Sequence, residues 1–163
     1  MIDSIQLPLL AAIEGSTFSP DGTRLYVTGW GPGNLFIVDS DPLSPTYKSI
    51  LSTISVQHGA RSIVVPPSGQ FAYIASDGGG VDVIDLRSSS GSFLTHIQNA
   101  GSYNSVHKIC CSLDGNFVYV TSGGEDPNKL FVIDSNPASA TFNTVISTFS
   151  VGPTPYFIAV KPN

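Results

Sequence analysis

The chain has 163 residues, of which 41% are hydrophobic and only 12% charged, with 16 glycines and 12 prolines. A disordered chain would carry more charge and fewer apolar side chains, so this composition predicts a single folded, turn-rich domain over residues 1–163. The net charge is -5, and the seven Lys and Arg residues form no cluster. Nucleic acid is therefore excluded as an expected partner, because proteins bind its phosphates through a basic surface.

The first residues carry no recognisable export signal. Asp3 stands where a secretory signal has Lys or Arg, and Pro8 interrupts the apolar run. Residues 3–10 are predicted to form an outer strand left over from a preceding unit. No stretch approaches the roughly 18 apolar residues of a membrane span, so none is predicted.

Two landmarks recur along the rest of the chain. The first is a tight turn before a tyrosine-containing strand, and its glycines, 47 and 46 residues apart, are Gly22, Gly69 and Gly115. The second is an apolar strand that ends in an aspartate, and these residues are Asp39, Asp85 and Asp134. Because both landmarks keep one period, we predict three copies of a single unit, roughly over residues 16–54, 61–97 and 107–149, with a partial fourth over 156–163.

Each copy contains four short segments rich in β-branched and aromatic residues and bounded by turn residues, which is typical of strands. In the second copy these strands, named A to D, are predicted at 61–66, 71–76, 80–85 and 92–97. Four antiparallel strands cannot bury both faces alone, so the copies are predicted to stack as blades of a β-propeller. The expected fold class is all-β, with about three four-stranded antiparallel blades plus loose terminal strands.

Three blades are fewer than the four to eight that close a propeller ring. Two alternatives follow from this count. The sequence is a piece of a longer protein, or copies of the chain associate as a homo-oligomer that completes the ring.

The repeat resembles the YVTN family of β-propeller repeats, found in surface-layer and other bacterial or archaeal proteins. The resemblance rests on these segments: Pro20-Asp21-Gly22, Tyr26-Val27-Thr28, Phe36-Ile37-Val38-Asp39 and Tyr119-Val120-Thr121. The sequence departs from the family pattern where Gly29 and Ser122 replace the asparagine of the Tyr-Val-Thr-Asn core. The resemblance implies a propeller fold and an extracellular or cell-surface location. It identifies no catalytic residue.

In such a blade the D–A and B–C connections lie on one face of the ring, where propeller ligands usually bind. The binding residues predicted on this face are Trp30, His58, Arg61, Tyr103, His107, Lys108 and Tyr156. His58 with Arg61, and His107 with Lys108, lie near the start of strand A in successive blades. These pairs would supply a base and a cation for an acyl or lactone substrate, although a histidine in a loop is more often simply solvated.

No metal site or cofactor is predicted. His58, His96 and His107 lie on different copies, and His96 is on an outer strand where no other ligand converges. The aspartates at the ends of the three C strands recur in every copy, which favours a structural role in the following turn over a catalytic one.

Two functions remain open on this sequence. The first is a non-catalytic scaffold or binding module that presents a loop face to a protein or glycan partner. The alternative is a lactonase- or lyase-like propeller enzyme, or a fragment of one, in which His58, Arg61, His107 and Lys108 carry the activity. The first is favoured because no acid, base and nucleophile visibly converge.

Overall fold

A computed structural model describes residues 4, 5, 7, 8, 12–101, 103, 105–123 and 128–161. These residues contain twelve strands and no helix. In chain order the strands are β1 (Ala12–Phe18), β2 (Arg24–Trp30), β3 (Asn34–Asp39), β4 (Ile50–Ser55), β5 (Ala60–Val64), β6 (Phe71–Ser76), β7 (Gly80–Asp85), β8 (His96–Asn99), β9 (Val106–Cys111), β10 (Phe117–Ser122), β11 (Lys129–Asp134) and β12 (Val145–Ser150).

The strands form three separate four-stranded sheets, each with its strands in chain order and antiparallel. Strands β1–β4 form blade 1, β5–β8 form blade 2 and β9–β12 form blade 3. The first strand of each sheet is the inner strand, since β1 contacts β5 and β5 contacts β9. The predicted all-β fold with three four-stranded blades is confirmed.

The outer strand of blade 2 differs from its predicted position at 92–97, because it spans His96–Asn99. The residues before it form a turn in which the Thr95 amide donates to the Ser92 carbonyl and the Leu94 amide donates to the Asp85 carbonyl. Leu94 has a positive φ of 56°. An extended strand cannot contain such a residue, so β8 begins only after the turn.

Residues 156–161, predicted as strand A of a fourth blade, are in no strand. Strand A of a blade pairs with strand B of the same blade, as β5 pairs with β6. No such partner lies beside 156–161 in the described part of the chain. Of the outer strand predicted at 3–10, residues 4, 5, 7 and 8 are described and are in no strand, and the others lie outside the described residues.

The hydrophobic core lies between the blades. One cluster joins blades 1 and 2 and includes Tyr26, Leu35 and Ile74, while a second joins blades 2 and 3 and includes Tyr73 and Val120. Every residue of β6 and β7 is buried, because blade 2 is covered on both faces. The stacking of copies therefore removes from water the apolar faces that one blade leaves exposed.

The aspartates at the C-strand ends each bind the loop that follows. The Asp134 carboxylate accepts hydrogen bonds from the Asn136 amide and the Thr141 hydroxyl, at 3.0 and 2.6 Å. Asp39 and Asp85 accept equivalent bonds from their own loops. These bonds satisfy buried carboxylates locally, which agrees with a structural role.

One buried carboxylate belongs to blade 2 alone. Asp82 is fully buried in β7, where the other blades have Phe36 and Phe131. Its Oδ2 accepts hydrogen bonds from the Ser76 hydroxyl at 2.7 Å and from the backbone amide of Gln57 at 3.2 Å. Its Oδ1 lies 3.2 Å from His96 Nε2 without a well-aligned hydrogen bond. Burial raises the pKa of Asp82 above its usual value.

We expect Asp82→Asn to stabilise the protein at pH 7 by about 1 kcal/mol, because a neutral amide keeps the acceptor and avoids burying a charge. As the pH rises, the Asp82 carboxyl loses its proton in the unfolded chain before it does so in the folded protein. The free energy of unfolding therefore falls as the pH rises from the unfolded-state pKa through the raised folded-state pKa. The gain should therefore disappear near pH 4. Urea denaturation at both pH values measures it, and a destabilised variant at pH 7 would contradict the argument.

The loops divide between two faces of the stack. On one face the D–A linkers meet the B–C turns: the Gly59 amide donates to Gly31 O, and the Gly78 amide donates to His58 O. On the other face the C–D loops meet the A–B turns, as where the Ser135 amide donates to Asn116 O. This is the division predicted for a propeller, and it places the candidate residues on the first face.

Candidate functional site

Each inner strand contains a β-bulge at the same place. The pairing of β1 with β2 skips Glu14, that of β5 with β6 skips Arg61, and that of β9 with β10 skips His107. These three residues are 47 and 46 apart, which is the period of the repeat. A bulge bends the strand and redirects a side chain, and bulges are common beside functional sites.

The bulge residues surround one open cavity of about 390 Å³. We call it the inner-strand cavity, and its lining residues are Glu14, Arg61, His107, Lys108, Tyr156 and Phe157. Tyr156 follows Val151 by five residues, as Arg61 follows Val56, so Tyr156 holds the corresponding place in the partial fourth repeat. Four successive repeats thus each contribute the residue at this position to the cavity, and the third and fourth repeats also contribute the next residue, Lys108 and Phe157.

Arg61 is fixed in place by Asp77 of the β6–β7 turn. Its Nε lies 2.8 Å from both carboxylate oxygens, and its terminal nitrogen lies 2.6 Å from Oδ2. The planar guanidinium group is suited to such forked pairing. The hydrogen bond to Asp77 raises the pKa of Arg61 further, so this residue is a permanent cation in the cavity wall.

His107 stacks on Tyr156 with ring centroids 4.8 Å apart and an angle of 8° between the rings. Its Nδ1 is buried and has no hydrogen-bond partner among the described residues. Burial, followed by the positive charge of Arg61, lowers the pKa of His107 below its usual value. At neutral pH the imidazole is therefore neutral.

The other predicted residues lie elsewhere. His58 is exposed in the β4–β5 linker and contacts Trp30, with ring centroids 5.8 Å apart. Tyr103 stacks on Phe131 at 3.7 Å and packs against the core between blades 2 and 3. The structure thus brings together Arg61, His107, Lys108 and Tyr156 and leaves His58, Trp30 and Tyr103 outside the cavity.

The sequence reasoning missed Glu14. The residue equivalent to His107 in blade 2 is Arg61 and not His58, and the equivalent in blade 1 is Glu14. The repeat period would have found it, because Glu14 precedes Arg61 by one full period. The first predicted blade began at residue 16, so Glu14 lay outside every predicted copy.

Within the described ranges, no three His, Cys, Asp or Glu side chains are grouped closely enough to hold a metal ion. The same part of the chain contains no helix long and apolar enough to cross a membrane. The described lining of the inner-strand cavity includes no serine, threonine or cysteine, so the hydroxyl that it offers beside His107 is the phenol of Tyr156.

Solved propeller structures resemble this chain. One from Bacteroides uniformis, named a 6-phosphogluconolactonase, is similar over 93% of this chain and 45% of that one, with a TM-score of 0.75 and 21% identity. Hydrazine synthase of Kuenenia stuttgartiensis is similar over 94% and 40%, with a TM-score of 0.73 and 19% identity. The WD40 repeats of RRP9 are similar over 90% and 41%, with a TM-score of 0.69 and 12% identity. This chain spans less than half the length of each, and at these identities the likeness shows the fold alone.

The sheets, their stacking and these neighbours define a β-propeller repeat protein. The LVIVD repeat family matches residues 59–105 and 111–148, which is more than half of the chain. The chain belongs to the LVIVD repeat family. The letters of the family name give the sequence Leu-Val-Ile-Val-Asp. Residues 35–39 of this chain match that sequence except at Phe36. The resemblance to YVTN repeats stays a prediction, and no curated protein matches the chain in sequence.

Proposed function

We propose that the chain is a non-catalytic binding module whose inner-strand cavity takes an acidic glycan. The observation that carries the proposal is the convergence of the bulge residues Glu14, Arg61 and His107, with Tyr156, on one open cavity. Bulges repeated at one position aim a different side chain from each blade at the same space. That arrangement provides several distinct contacts for one extended polar ligand.

The chemistry of the lining favours a carbohydrate over an apolar ligand. Tyr156 and Phe157 are 55% and 86% exposed, and flat aromatic rings of this kind offer an apolar face and, at Tyr156, a polar tip. Lys108 forms no ion pair in the described part of the chain and is the cation available to a carboxylate of the ligand. Arg61 is held by Asp77, so it orients the ligand from the wall.

The test is calorimetric titration of the full chain with trigalacturonate, using maltotriose as the neutral control. We expect the acidic trisaccharide alone to bind, and Lys108→Ala to weaken it at least about tenfold through loss of one charge-assisted hydrogen bond. Lys129→Ala removes the same charge outside the cavity and should leave binding unchanged. Equal binding of both sugars, or an unaffected Lys108→Ala variant, would overturn the proposal.

A second candidate is a lactonase-like enzyme, favoured by the lowered pKa of His107. A neutral imidazole is suited to general-base activation of water, and Arg61 would stabilise the developing oxyanion. The likeness to a structure named a 6-phosphogluconolactonase makes 6-phosphogluconolactone the substrate to test. Hydrolysis above background that His107→Ala abolishes would support the enzyme, whereas background rates for both proteins remove it.

A further inference from the structure

The seam between blades 2 and 3 is filled on the side of the C–D loops. The Tyr73 hydroxyl donates a 2.7 Å hydrogen bond to Asn143 Oδ1, and both residues are buried. Gln98 Nε2 donates to the Asn143 carbonyl at 3.2 Å. The rings of Phe71 and Phe142 are in contact, with centroids 5.1 Å apart. These contacts hold blades 2 and 3 together at this seam.

The seam between blades 1 and 2 has different residues at the same places. Strand register makes Tyr26 equivalent to Tyr73, Arg24 to Phe71 and Ser52 to Gln98. The amides of Leu94 and Asn143 each donate to the C-strand aspartate carbonyl of their own blade, which makes these two residues equivalent as well. Three of these four positions have therefore changed in type, whereas the tyrosine is kept and Phe93 stands in the place of Phe142.

These changes open a pocket of about 680 Å³, which we call the seam pocket. Its walls include Arg24, Tyr26, Ser52, Leu51, Phe93 and Leu94. It is larger than the inner-strand cavity and lies on the opposite face of the stack, among the A–B turns and C–D loops. Its size is within the range of about 300–1,000 Å³ typical of small-molecule sites.

Two polar groups of the seam pocket wall, the Tyr26 hydroxyl and the Arg24 guanidinium, keep hydrogen-bonding capacity for a ligand. Tyr26 is only 6% exposed, and its hydroxyl has no hydrogen-bond partner within the described ranges, since Leu94 replaces the asparagine that binds Tyr73. The Arg24 side chain is 40% exposed. One terminal nitrogen of Arg24 donates to Thr23 O at 2.9 Å and lies 3.5 Å from Asp39 Oδ1. The other N–H groups of the guanidinium are available to a ligand.

The backbone supplies an independent observation at the same wall. Lys48, Leu94 and Asn143 occupy one position of the repeat, with φ values of 68°, 56° and 59°. Asparagine tolerates this left-handed conformation, whereas leucine in it costs about 1–2 kcal/mol. The turn imposes this conformation in all three blades, so the strain at Leu94 is a cost of placing an apolar side chain in the wall of the seam pocket.

We propose that the seam pocket binds a small aromatic carboxylate. The carboxylate pairs with the Arg24 fork and accepts from the Tyr26 hydroxyl, and the ring packs against Leu51, Phe93 and Leu94. A charged head and an apolar body match a pocket that offers the Arg24 cation and the apolar side chains of Leu51, Phe93 and Leu94. The lining also includes the carboxylate of Asp21, which accepts hydrogen bonds from Ser19 and Thr23 of its own turn. This site is separate from the inner-strand cavity, and the proposal does not depend on the glycan.

The test uses the full chain and phenylacetate, with phenylacetamide as a probe of the same size without charge, in ligand-observed NMR titrations. We expect saturable binding of phenylacetate and at least tenfold weaker binding of the amide. Leu94→Asn should rebuild the closed seam by giving Tyr26 an acceptor, so it should raise the melting temperature and weaken phenylacetate binding at least tenfold. Lys48→Asn should relieve the same left-handed backbone strain outside the seam pocket, so it should leave phenylacetate binding unchanged.

A second variant, Arg24→Gln, removes the cation and should weaken binding at least tenfold whether or not Leu94→Asn folds. The proposal is overturned if phenylacetate does not bind, if the amide binds equally well, or if binding survives both Leu94→Asn and Arg24→Gln. Binding that Lys48→Asn weakens as much as Leu94→Asn would also overturn it, because the site would then not be in the seam pocket.

Discussion

Replacing Gly33 by alanine should destabilise the protein by at least about 4 kcal/mol, which is at the upper end for single substitutions. Gly33 lies in the β2–β3 turn with a φ of 84°, a conformation that alanine adopts only with strain. An added Cβ would also overlap the carbonyl group of Gln57 and the carbonyl oxygen of Val56. These are backbone atoms of the linker between blades 1 and 2, so no side-chain rotation relieves the overlap.

Gly22→Ala is the matched control for this prediction. Gly22 has a similar φ of 75°, and a Cβ there would meet no atom within 4 Å. It should therefore lose only about 1–2 kcal/mol from the left-handed backbone conformation. Urea denaturation followed by circular dichroism measures both variants. If Gly33→Ala loses no more than Gly22→Ala, the close approach of the linker to this turn is wrong.

The linker that contacts Gly33 leads into β5, which carries Arg61. Gly33→Ala should therefore affect the candidate site as well as the stability of the protein. The Val56 amide donates to Gly33 O at 3.2 Å, and β5 begins at Ala60. A displaced linker would move Arg61 relative to Asp77. We therefore expect Gly33→Ala, where it folds, to weaken ligand binding in the inner-strand cavity, while Gly22→Ala leaves it unchanged.

The blade architecture was predictable because each copy repeats the same turn residues and the same pattern of β-branched and aromatic residues in its strands. Strands B and C of the second copy were predicted at 71–76 and 80–85 and are found at Phe71–Ser76 and Gly80–Asp85. Both are bounded by glycine, serine or aspartate residues that end strands. Strand D was misplaced because Leu94, an unremarkable residue in sequence, adopts a left-handed conformation that the neighbouring turn imposes.

The candidate site was only partly predictable because it depends on register. Arg61, His107, Lys108 and Tyr156 were selected by their closeness to the starts of inner strands, which is a local property. The bulges that direct Glu14, Arg61 and His107 to one cavity appear only when strands are paired. The seam pocket depends in turn on differences between equivalent residues of different blades, such as Leu94 and Asn143, and no single copy shows them.

Replacing Asp85 by alanine should remove about 3 kcal/mol of stability at pH 7, since it removes a buried carboxylate from its ion pair with the half-exposed Arg87 and leaves other donors without their acceptor. The Asp85 carboxylate is fully buried, and Arg87 donates to it at 2.9 Å through Nε and 2.7 Å through its terminal nitrogen. The Ser92 hydroxyl donates to it at 2.6 Å. The Arg87 guanidinium also lies 4.7 Å from the Phe71 ring centroid, so the pair supports the seam with blade 3.

The pH dependence distinguishes this charge from simple packing. The bond from Arg87 holds the pKa of Asp85 well below its usual value, so its contribution is complete above the unfolded-state pKa of about 4 and is lost as the pH falls towards the folded-state value. The difference between Asp85→Ala and wild type should therefore shrink between pH 5 and pH 2, and urea denaturation across this range measures it. Asp21→Ala removes an exposed carboxylate bound only within its own turn, and its loss at pH 7 should be much smaller. A difference in the free energy of unfolding between Asp85→Ala and wild type that stays constant down to pH 2 would contradict this prediction. The protonated carboxyl would then bind the loop as well as the carboxylate does, and the lost contacts would be independent of charge.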